Sequence, residues 1–511
     1  MEVSEIRNIL TTSRESATPI VCIGAGLSGC AAAQFLCRRN IPTVILEEKS
    51  ELEARKVYHL AQSIDAVSNL GGLVFYKVAA PSDIPLPLNP RLVILSPSVP
   101  PKSPLVNYFK SYGAHIIGEF ELGLLLAGLP VVLVTGSNGK STTVSLIHQI
   151  LCMTGVRSVL CGNIGTPVME VVENFVGLDG FPINRSDCDI IVAEGSSYQL
   201  ETTLHLRPTV GVFLNLSENH LERHGTMEAY FEAKSKPFFR MTDSELMVVA
   251  IDNLWGARLA QKVSCQIMPV ASVGVSDSKF GNKSGVWLEE NFITIQWQGE
   301  SIRVSLLNFP LIGLHNRYNL GCAIAVAVSL GVDPSLIEAA TPKLNGMPYR
   351  MQNEGIVREI LFINDSKATT VAAVEVAIRA ILESTQGGLV LLLGGVEKSR
   401  SPWEVVSNLL GQVLSRIQGV VTFGQSRNSI RSALKSSLLP QEIIHDAATL
   451  ESALESAARL ALPGDTILVS PGCASFDQFR NFEERGVAIS SWVKQYRKKY
   501  HEDSSLIDEE V

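Results

Sequence analysis

The densest group of residues able to do chemistry is Gly136-Ser137-Asn138-Gly139-Lys140-Ser141-Thr142-Thr143. It follows an apolar run at 131–134 and opens a helical pattern. Glycines at such a turn let backbone N–H groups approach phosphate oxygens, and the helix N-terminus favours the anion. Lys140 can reach β- and γ-phosphates, and Ser141 or Thr142 can ligate Mg²⁺. The spacing departs from the eight-residue phosphate-loop pattern, whose first glycine would fall on Val134. A plain glycine turn with a surface lysine is the competing explanation. The coincidence of strand, Gly-Lys-Ser and helix weighs against it.

Two further strand ends carry polar groups in the same region. Glu194 closes the run at 189–193, where a carboxylate faces the usual ligand crevice of a parallel sheet and, near a phosphate loop, suits Mg²⁺. The segment 215–224 follows the run at 210–214 and sets His220 beside carboxylates, although a single histidine is more often structural. Near the N-terminus, Gly24-Ala25-Gly26-Leu27-Ser28-Gly29 also follows a strand pattern, with Glu47 and Glu48 closing the next one. That arrangement fits a dinucleotide, a nucleotide-sugar pyrophosphate, or a tight turn with no ligand. Further along, 364–369 and 394–398 put charged groups after strands. In 470–485, Ser475 has the type of a helix cap, Cys473 of a small buried residue, and Phe476, Phe479 and Phe482 of core residues at helical spacing.

The elements that must position these groups follow from pattern. Apolar Val/Ile/Leu runs at 20–23, 43–46, 92–95, 131–134, 189–193, 210–214, 247–251, 360–363, 389–393, 419–423 and 466–469 alternate with helical periodicity. This predicts an α/β fold of mostly parallel sheets covered on both faces. Three domains are expected: a Rossmann-like one at 1–126, a central phosphate-loop ATPase-type one at 127–346, and a second Rossmann-like one at 347–498. A polar tail follows at 499–511. The segment 272–303 reads as short strands with turns, 175–187 as a surface loop, and 345–348 as a hinge.

Composition narrows the function. A net charge of −8 argues against nucleic acid as the main partner. Nine scattered cysteines without a Cys-x-x-Cys pair read as reduced thiols, not a disulfide or zinc framework. The N-terminal segment has no signal-peptide pattern, and the apolar stretch at 122–135, broken at Gly128 and Pro130, reads as helix end, turn and strand, so no membrane insertion is expected.

Seven blocks in one collinear order, TGSNGKST, EGSSYQLE, LNLSENHLERHG, LIGLHNRYN, INDSKATT, LLLGGVEK and SPGCASFDQFRNFEERG, resemble the Mur ligase family from about residue 20 to 493. The resemblance implies ATP-dependent ligation of D-glutamate to UDP-N-acetylmuramoyl-L-alanine through an acyl phosphate, in peptidoglycan synthesis. It implies a cytoplasmic monomer acting on small molecules. On the ATP side it implies Gly136, Ser137, Asn138, Gly139, Lys140, Ser141, Thr142, Asn316, Asn319, Arg350 and Asp365. Two Mg²⁺ ions would be held by Ser141, Glu194, His220 and Lys234, with Lys234 carboxylated by CO₂. Lys140, His220, Lys234 and Arg350 would be the catalytic set. The UDP-muramoyl substrate would meet Leu27, Ser28, Glu47, Lys49, Ser96, Pro97, Asn163 and Ser196. Glutamate would meet Lys367, Thr369, Lys398, Ser475 and Phe482. Closure of the third domain over the second would keep water from the acyl phosphate.

Some positions depart from the family pattern: Asn219 in place of the common Asp, Tyr349 in place of His, Ser98 in place of Gly, and the acidic pair Glu47-Glu48. Three other readings stay open at this level: a paralogous ligase adding L-glutamate or another amino acid, a nucleotide-binding regulatory protein, and a dinucleotide oxidoreductase built on Gly24–Gly29.

Overall fold

Every one of the eleven apolar runs becomes a strand, because an unbroken Val/Ile/Leu segment is stable only where both faces are covered. A computed structural model describes residues 3–56, 58–176, 188–272, 284–311, 313–397, 403–435 and 439–507. Lys398 and most of the loop expected at 175–187 lie outside these residues.

The chain forms three sheet-centred α/β domains. The first sheet holds β1 (Ile20–Ile23), β2 (Thr43–Glu47), β3 (Leu73–Tyr76), β4 (Leu92–Leu95) and β5 (His115–Gly118). Its order is β3-β2-β1-β4-β5, and every pairing is parallel. The second sheet holds β6 (Val131–Thr135), β7 (Ser158–Gly162), β8 (Ile190–Glu194), β9 (Val210–Phe213), β10 (Leu246–Ala250), β11 (Gln266–Ser272), β12 (Gly285–Leu288), β13 (Phe292–Trp297) and β14 (Glu300–Ser305). Its order is β14-β13-β12-β11-β10-β9-β6-β8-β7. The pairings β12–β13 and β13–β14 are antiparallel, so the segment read as short strands extends the sheet edge. The third sheet holds β15 (Gln352–Val357), β16 (Ile360–Asn364), β17 (Leu389–Gly394), β18 (Ile417–Phe423), β19 (Ile444–Ala447) and β20 (Thr466–Gly472), in the order β15-β16-β20-β17-β18-β19. Only β15 runs antiparallel, through a two-residue turn at Arg358 and Glu359, both with φ near +57 (53° and 61°).

By contacts the chain divides into two compact units. One comprises 1–309 with 318–344 and carries the first two sheets; the other comprises 310–317 with 345–511 and carries the third. In the first unit one apolar cluster runs continuously from Ile20 and Phe35 through Phe120, Val168 and Met169 to Leu133 and Phe231, so the first two domains share a core. Polar contacts reinforce the junction. The Glu121 carboxylate accepts N–H donors from Leu204, His205 and Leu206, and Glu119 accepts from Met169 N–H at 2.7 Å.

The stretch at 122–135 is a helix (Glu119–Ala127), a left-handed turn at Gly128, and β6. Among the described residues no helix is long and apolar enough to cross a membrane. The last helix runs Phe482–Ile507 and continues past the expected boundary at 498. None of the nine cysteines is in a disulfide, and Cys473 is fully buried, as its small apolar type suggests. Two expectations fail. Ser475 caps no helix: it sits in a turn, its carbonyl accepting from Gln478 and Phe479 N–H, seven residues before the helix at Phe482. Phe476, in that turn, is 72% exposed instead of buried, because the helical spacing that would have turned it inward is absent.

Candidate active site

Parallel register brings the sequence-separated motifs to one sheet edge. Val134 pairs with Glu194, Thr135 with Phe213, and Gly162 with Glu194. The loops after β6, β7, β8 and β9 therefore emerge side by side where the strand order reverses, the usual crevice of an open α/β sheet. The phosphate-loop segment, Asn163, Glu194 and His220 come from those four loops.

The glycine loop after β6 is held from the β9 side. Ser137 N–H donates to the Asn215 carbonyl and Asn138 N–H to Asn215 Oδ1, both at 2.9 Å. Ser217 N–H donates to Ser137 Oγ at 2.9 Å. Gly139, at φ +83°, turns the chain into the helix Lys140–Met153. A Cβ there would lie 2.5 Å from Asn319 Oδ1, so only glycine fits. That oxygen accepts from Thr143 Oγ1 at 3.2 Å, which puts Asn319 against the loop. Asn316 is buried three residues earlier on the same helix, Leu314–Ser329. Lys140 Nζ donates to the carbonyls of Gly136 at 3.0 Å and Ser137 at 2.9 Å, so its ammonium lies inside the loop.

Two charged groups are sunk behind this loop. Lys234, in the helix Met227–Ser235, is 2% exposed; Nζ donates to the Gly136 carbonyl at 2.8 Å and lies 5.0 Å from the Tyr230 ring centre. Burial, reinforced by the Lys140 charge and opposed by Glu194, drives its pKa well below the ordinary lysine value. Glu194 is 1% exposed; Oε1 accepts from Asn163 Nδ2 at 2.8 Å, and Oε2 has no partner among the described residues. A buried carboxylate oxygen left unpaired is costly, and a divalent cation is the group that meets it. Among the described residues no group of three or more His, Cys, Asp or Glu side chains is placed to hold a metal ion.

A cavity of about 460 Å³ opens over these groups. Lys140, Asn163, Ser196, His220 and Lys234 line it, with Leu27, Ser28 and Pro97 from the first domain opposite. Glu47, Lys49 and Ser96 do not line it. Glu47 is turned into the first glycine turn, accepting from Ala25 N–H at 2.6 Å and Lys49 N–H at 3.0 Å. Ser96 packs beneath Gly24, where a Cβ would lie 2.9 Å from its own. Sequence reasoning missed two aromatic lining residues. Tyr198 OH lies 3.2 Å from His220 Nδ1, and Tyr230 OH lies 3.2 Å from Ser137 Oγ. Tyr198 stands in the EGSSYQLE block and Tyr230 in none of the blocks; tertiary packing sets what each meets.

The second unit gathers its own set. Asp365, 5% exposed, accepts from Met351 N–H at 3.1 Å and Ser470 Oγ at 2.7 Å, and burial pushes its pKa up to about 7. Lys367 N–H donates to the Tyr349 carbonyl at 2.9 Å, and Lys367 Nζ lies 5.2 Å from the Phe482 ring centre. Arg485, fully buried, ties the loops together by donating to the Ser366 and Cys473 carbonyls at 2.8 and 3.1 Å. Arg350 precedes Met351 in this cluster, Thr369 is half-buried, and Ser475 is 2% exposed.

Known proteins resemble this chain in sequence and in fold. Residues 134–327 match the Mur ligase middle domain and 349–473 the Mur ligase glutamate ligase domain. The chain is 30% identical to the UDP-N-acetylmuramoylalanine--D-glutamate ligase of Geobacter sp. (strain M21), over 94% of this chain and 98% of that protein. It is 32% identical to the enzyme of that name from Koribacter versatilis (strain Ellin345), over 93% and 97%. The fold is like that of the MurF ligase of Thermotoga maritima solved in complex with ADP, with a TM-score of 0.52 and 17% identity, over 90% of this chain and 96% of that one.

Proposed function

The chain belongs to the Mur ligase family, and on that premise we propose that it joins D-glutamate to UDP-N-acetylmuramoyl-L-alanine with hydrolysis of ATP to ADP and phosphate, as a cytoplasmic monomer. The observation that supports the reading is the buried, half-unpartnered Glu194 carboxylate, bonded to Asn163 and electrostatically coupled to Lys234, next to a cavity that Lys140, Asn163, His220 and Lys234 line.

In this reading Gly136, Ser137, Asn138, Gly139, Ser141 and Thr142 cradle the phosphates, with Asn316, Asn319, Arg350 and Asp365 on the rest of ATP. Lys140 sits inside the loop, where its charge offsets that of the β- and γ-phosphates. The L-alanyl carboxylate attacks the γ-phosphorus and ADP leaves, giving an acyl phosphate. The glutamate amine then adds to the acyl carbon, loses a proton, and expels phosphate. Mg²⁺ held by Ser141, Glu194, His220 and Lys234 would supply charge neutralisation on the transferring phosphoryl group. Lys234 needs a carboxylate of its own for that role. Burial and the Lys140 charge lower its pKa and so favour the neutral amine, the form that adds CO₂ by forming an N–C bond and releasing a proton. Leu27, Ser28, Pro97, Asn163 and Ser196 orient the muramoyl substrate in the cavity, with Glu47, Lys49 and Ser96 shaping the turn behind it. Lys367, Thr369, Lys398, Ser475 and Phe482 receive glutamate.

Phosphate release from ATP with UDP-N-acetylmuramoyl-L-alanine, Mg²⁺ and D-glutamate, L-glutamate or neither tests the reading. The expected result is release that needs both the nucleotide sugar and D-glutamate, with the ligated product seen by mass. Release with L-glutamate only moves the protein to a paralogous activity. Absence of release with either amino acid overturns the ligase reading.

A further inference from the structure

Arg223 lies three residues past His220, in the short helix Leu221–His224, and its side chain reaches to the first domain. Nη1 donates to the Ser98 carbonyl at 3.2 Å and Nη2 to the Val99 carbonyl at 3.0 Å. Nε donates to Glu201 Oε1 at 3.1 Å, and Nη2 completes the ion pair. Both side chains are 15% exposed, so the contact is shielded from solvent and salt. A planar fork that grips one carboxylate and still serves two carbonyls is guanidinium geometry, which a lysine ammonium does not reproduce.

Arg223 links two segments that each carry a residue of the cavity lining, Pro97 in one and His220 in the other. The carbonyls belong to the turn after β4, closed by Val99 N–H on the Ser96 carbonyl at 3.0 Å. This turn carries Pro97 on the cavity lining and presses Val99 on the first glycine turn, where a Cβ on Gly24 would lie 3.0 Å from Val99 Cγ2. In the other segment, Arg223 N–H donates to the His220 carbonyl at 3.1 Å. His220 holds φ +55°, a conformation costly for a residue with a side chain and kept only when its surroundings fix it. Tyr198 stands between the two, its ring centre 5.0 Å from Arg223 Cζ and its OH 3.2 Å from His220 Nδ1.

We propose that Arg223 is a positioning residue that couples the nucleotide-sugar wall of the cavity to the setting of His220 on the phosphate wall. A nucleotide sugar seated against Leu27, Ser28 and Pro97 steadies the 96–99 turn. The turn's carbonyls fix the guanidinium, and the guanidinium fixes the 220–224 helix. By linkage the coupling is reciprocal, so nucleotide bound at the glycine loop tightens the nucleotide sugar by the same factor. The proposal rests on the ligase reading.

The test is calorimetric binding of UDP-N-acetylmuramoyl-L-alanine to the full chain, with and without a saturating non-hydrolysable ATP analogue and Mg²⁺. The wild type should bind the nucleotide sugar about fivefold or more tightly with the analogue present. In Arg223→Ala that factor should fall towards one, and Arg223→Lys should not restore it, whereas a merely structural role would lower the melting temperature and leave the factor intact. Should Arg223→Ala fail to fold, Glu201→Gln, which loosens the grip on the guanidinium, must show the reduced factor. A wild-type factor of one, or an unchanged factor in the folded variant, overturns the proposal. If the wild type couples the two ligands but forms no product with any glutamate, the ligase reading is what fails.

Discussion

At the residue scale the site is defined by charges held where water is not. Lys234 is buried near another cation, Lys140, and the Glu194 charge opposes the resulting fall in its pKa. A second ammonium there would add positive charge to a loop that already has Lys140, whereas a carbamate would offer a divalent cation a second anion near Glu194. We expect Lys234→Ala to lower turnover by a factor of at least about 10³, with no recovery in high bicarbonate. Growth of a carbamate carbon signal on adding ¹³C-bicarbonate to the wild type, absent in the variant, checks the modification; near-normal turnover of the variant would sink it. Glu194→Gln keeps an oxygen for Asn163 Nδ2 and removes the charge. It should lower kcat by about a hundredfold or more while changing KM for the nucleotide sugar by only a few-fold, and a loss confined to KM would move Glu194 out of the metal role. Lys140, Glu194 and His220 were legible in the sequence because each stands next to a strand pattern. Tyr198 and Arg223 stand inside two of the recognised blocks, EGSSYQLE and LNLSENHLERHG, and Tyr230 outside them, but the type of a lone aromatic or arginine does not say which distant loop it will meet.

At the element scale the decisive feature is register. Strands β6, β8 and β9 are buried on both faces, and that burial wrote the unbroken apolar runs from which they could be read. Edge strands were harder. β3 has no fully buried residue and β15 has one, while β5 and β19 are half open, so their apolar content is diluted by residues facing solvent. The glycine turn after β6 is an element property too, since its shape depends on Gly139 and on Asn215 and Asn319 from two other segments. Gly139→Ala must either leave its left-handed φ or push Asn319 away. We expect KM for ATP to rise about tenfold or more with the thermal midpoint almost unchanged, because the strain is local. Steady-state kinetics against a melting curve separates this from global damage, and an unaltered KM for ATP would remove the loop from the nucleotide site.

At the scale of the whole molecule, each compact unit carries a buried acid whose pKa burial raises towards neutrality. Burial pushes Glu119 up to about 7 in the first unit, against the pull of the Met169 N–H and the Ser28 hydroxyl, and pushes Asp365 up to about 7 in the second. A carboxyl whose folded pKa is raised binds a proton in the native state that the unfolded chain has released. Between about pH 4.5 and 7, therefore, its contribution to stability falls as pH rises, and above pH 7 the full penalty of the buried charge remains. For Glu119 the shift from 4.5 to about 7 corresponds to about 3 kcal/mol at pH 8. Replacing it by its neutral isostere takes that penalty away: Glu119→Gln retains an oxygen for Met169 N–H and has no charge to bury. Thermal or urea unfolding should find the variant and the wild type alike at pH 5, where both are neutral, and the variant the more stable at pH 8. Asp365→Asn should show the same crossing in the second unit, with ATP affinity read separately because Asp365 belongs to the proposed nucleotide set. A variant that is destabilised equally at both pH values would mean the carboxyl titrates normally and that Glu119 is held as an anion by its two hydrogen-bond donors. In that case the junction between the first two domains would be an electrostatic clamp, where a neutral Glu119 makes it a packed core with one uncharged acid in it.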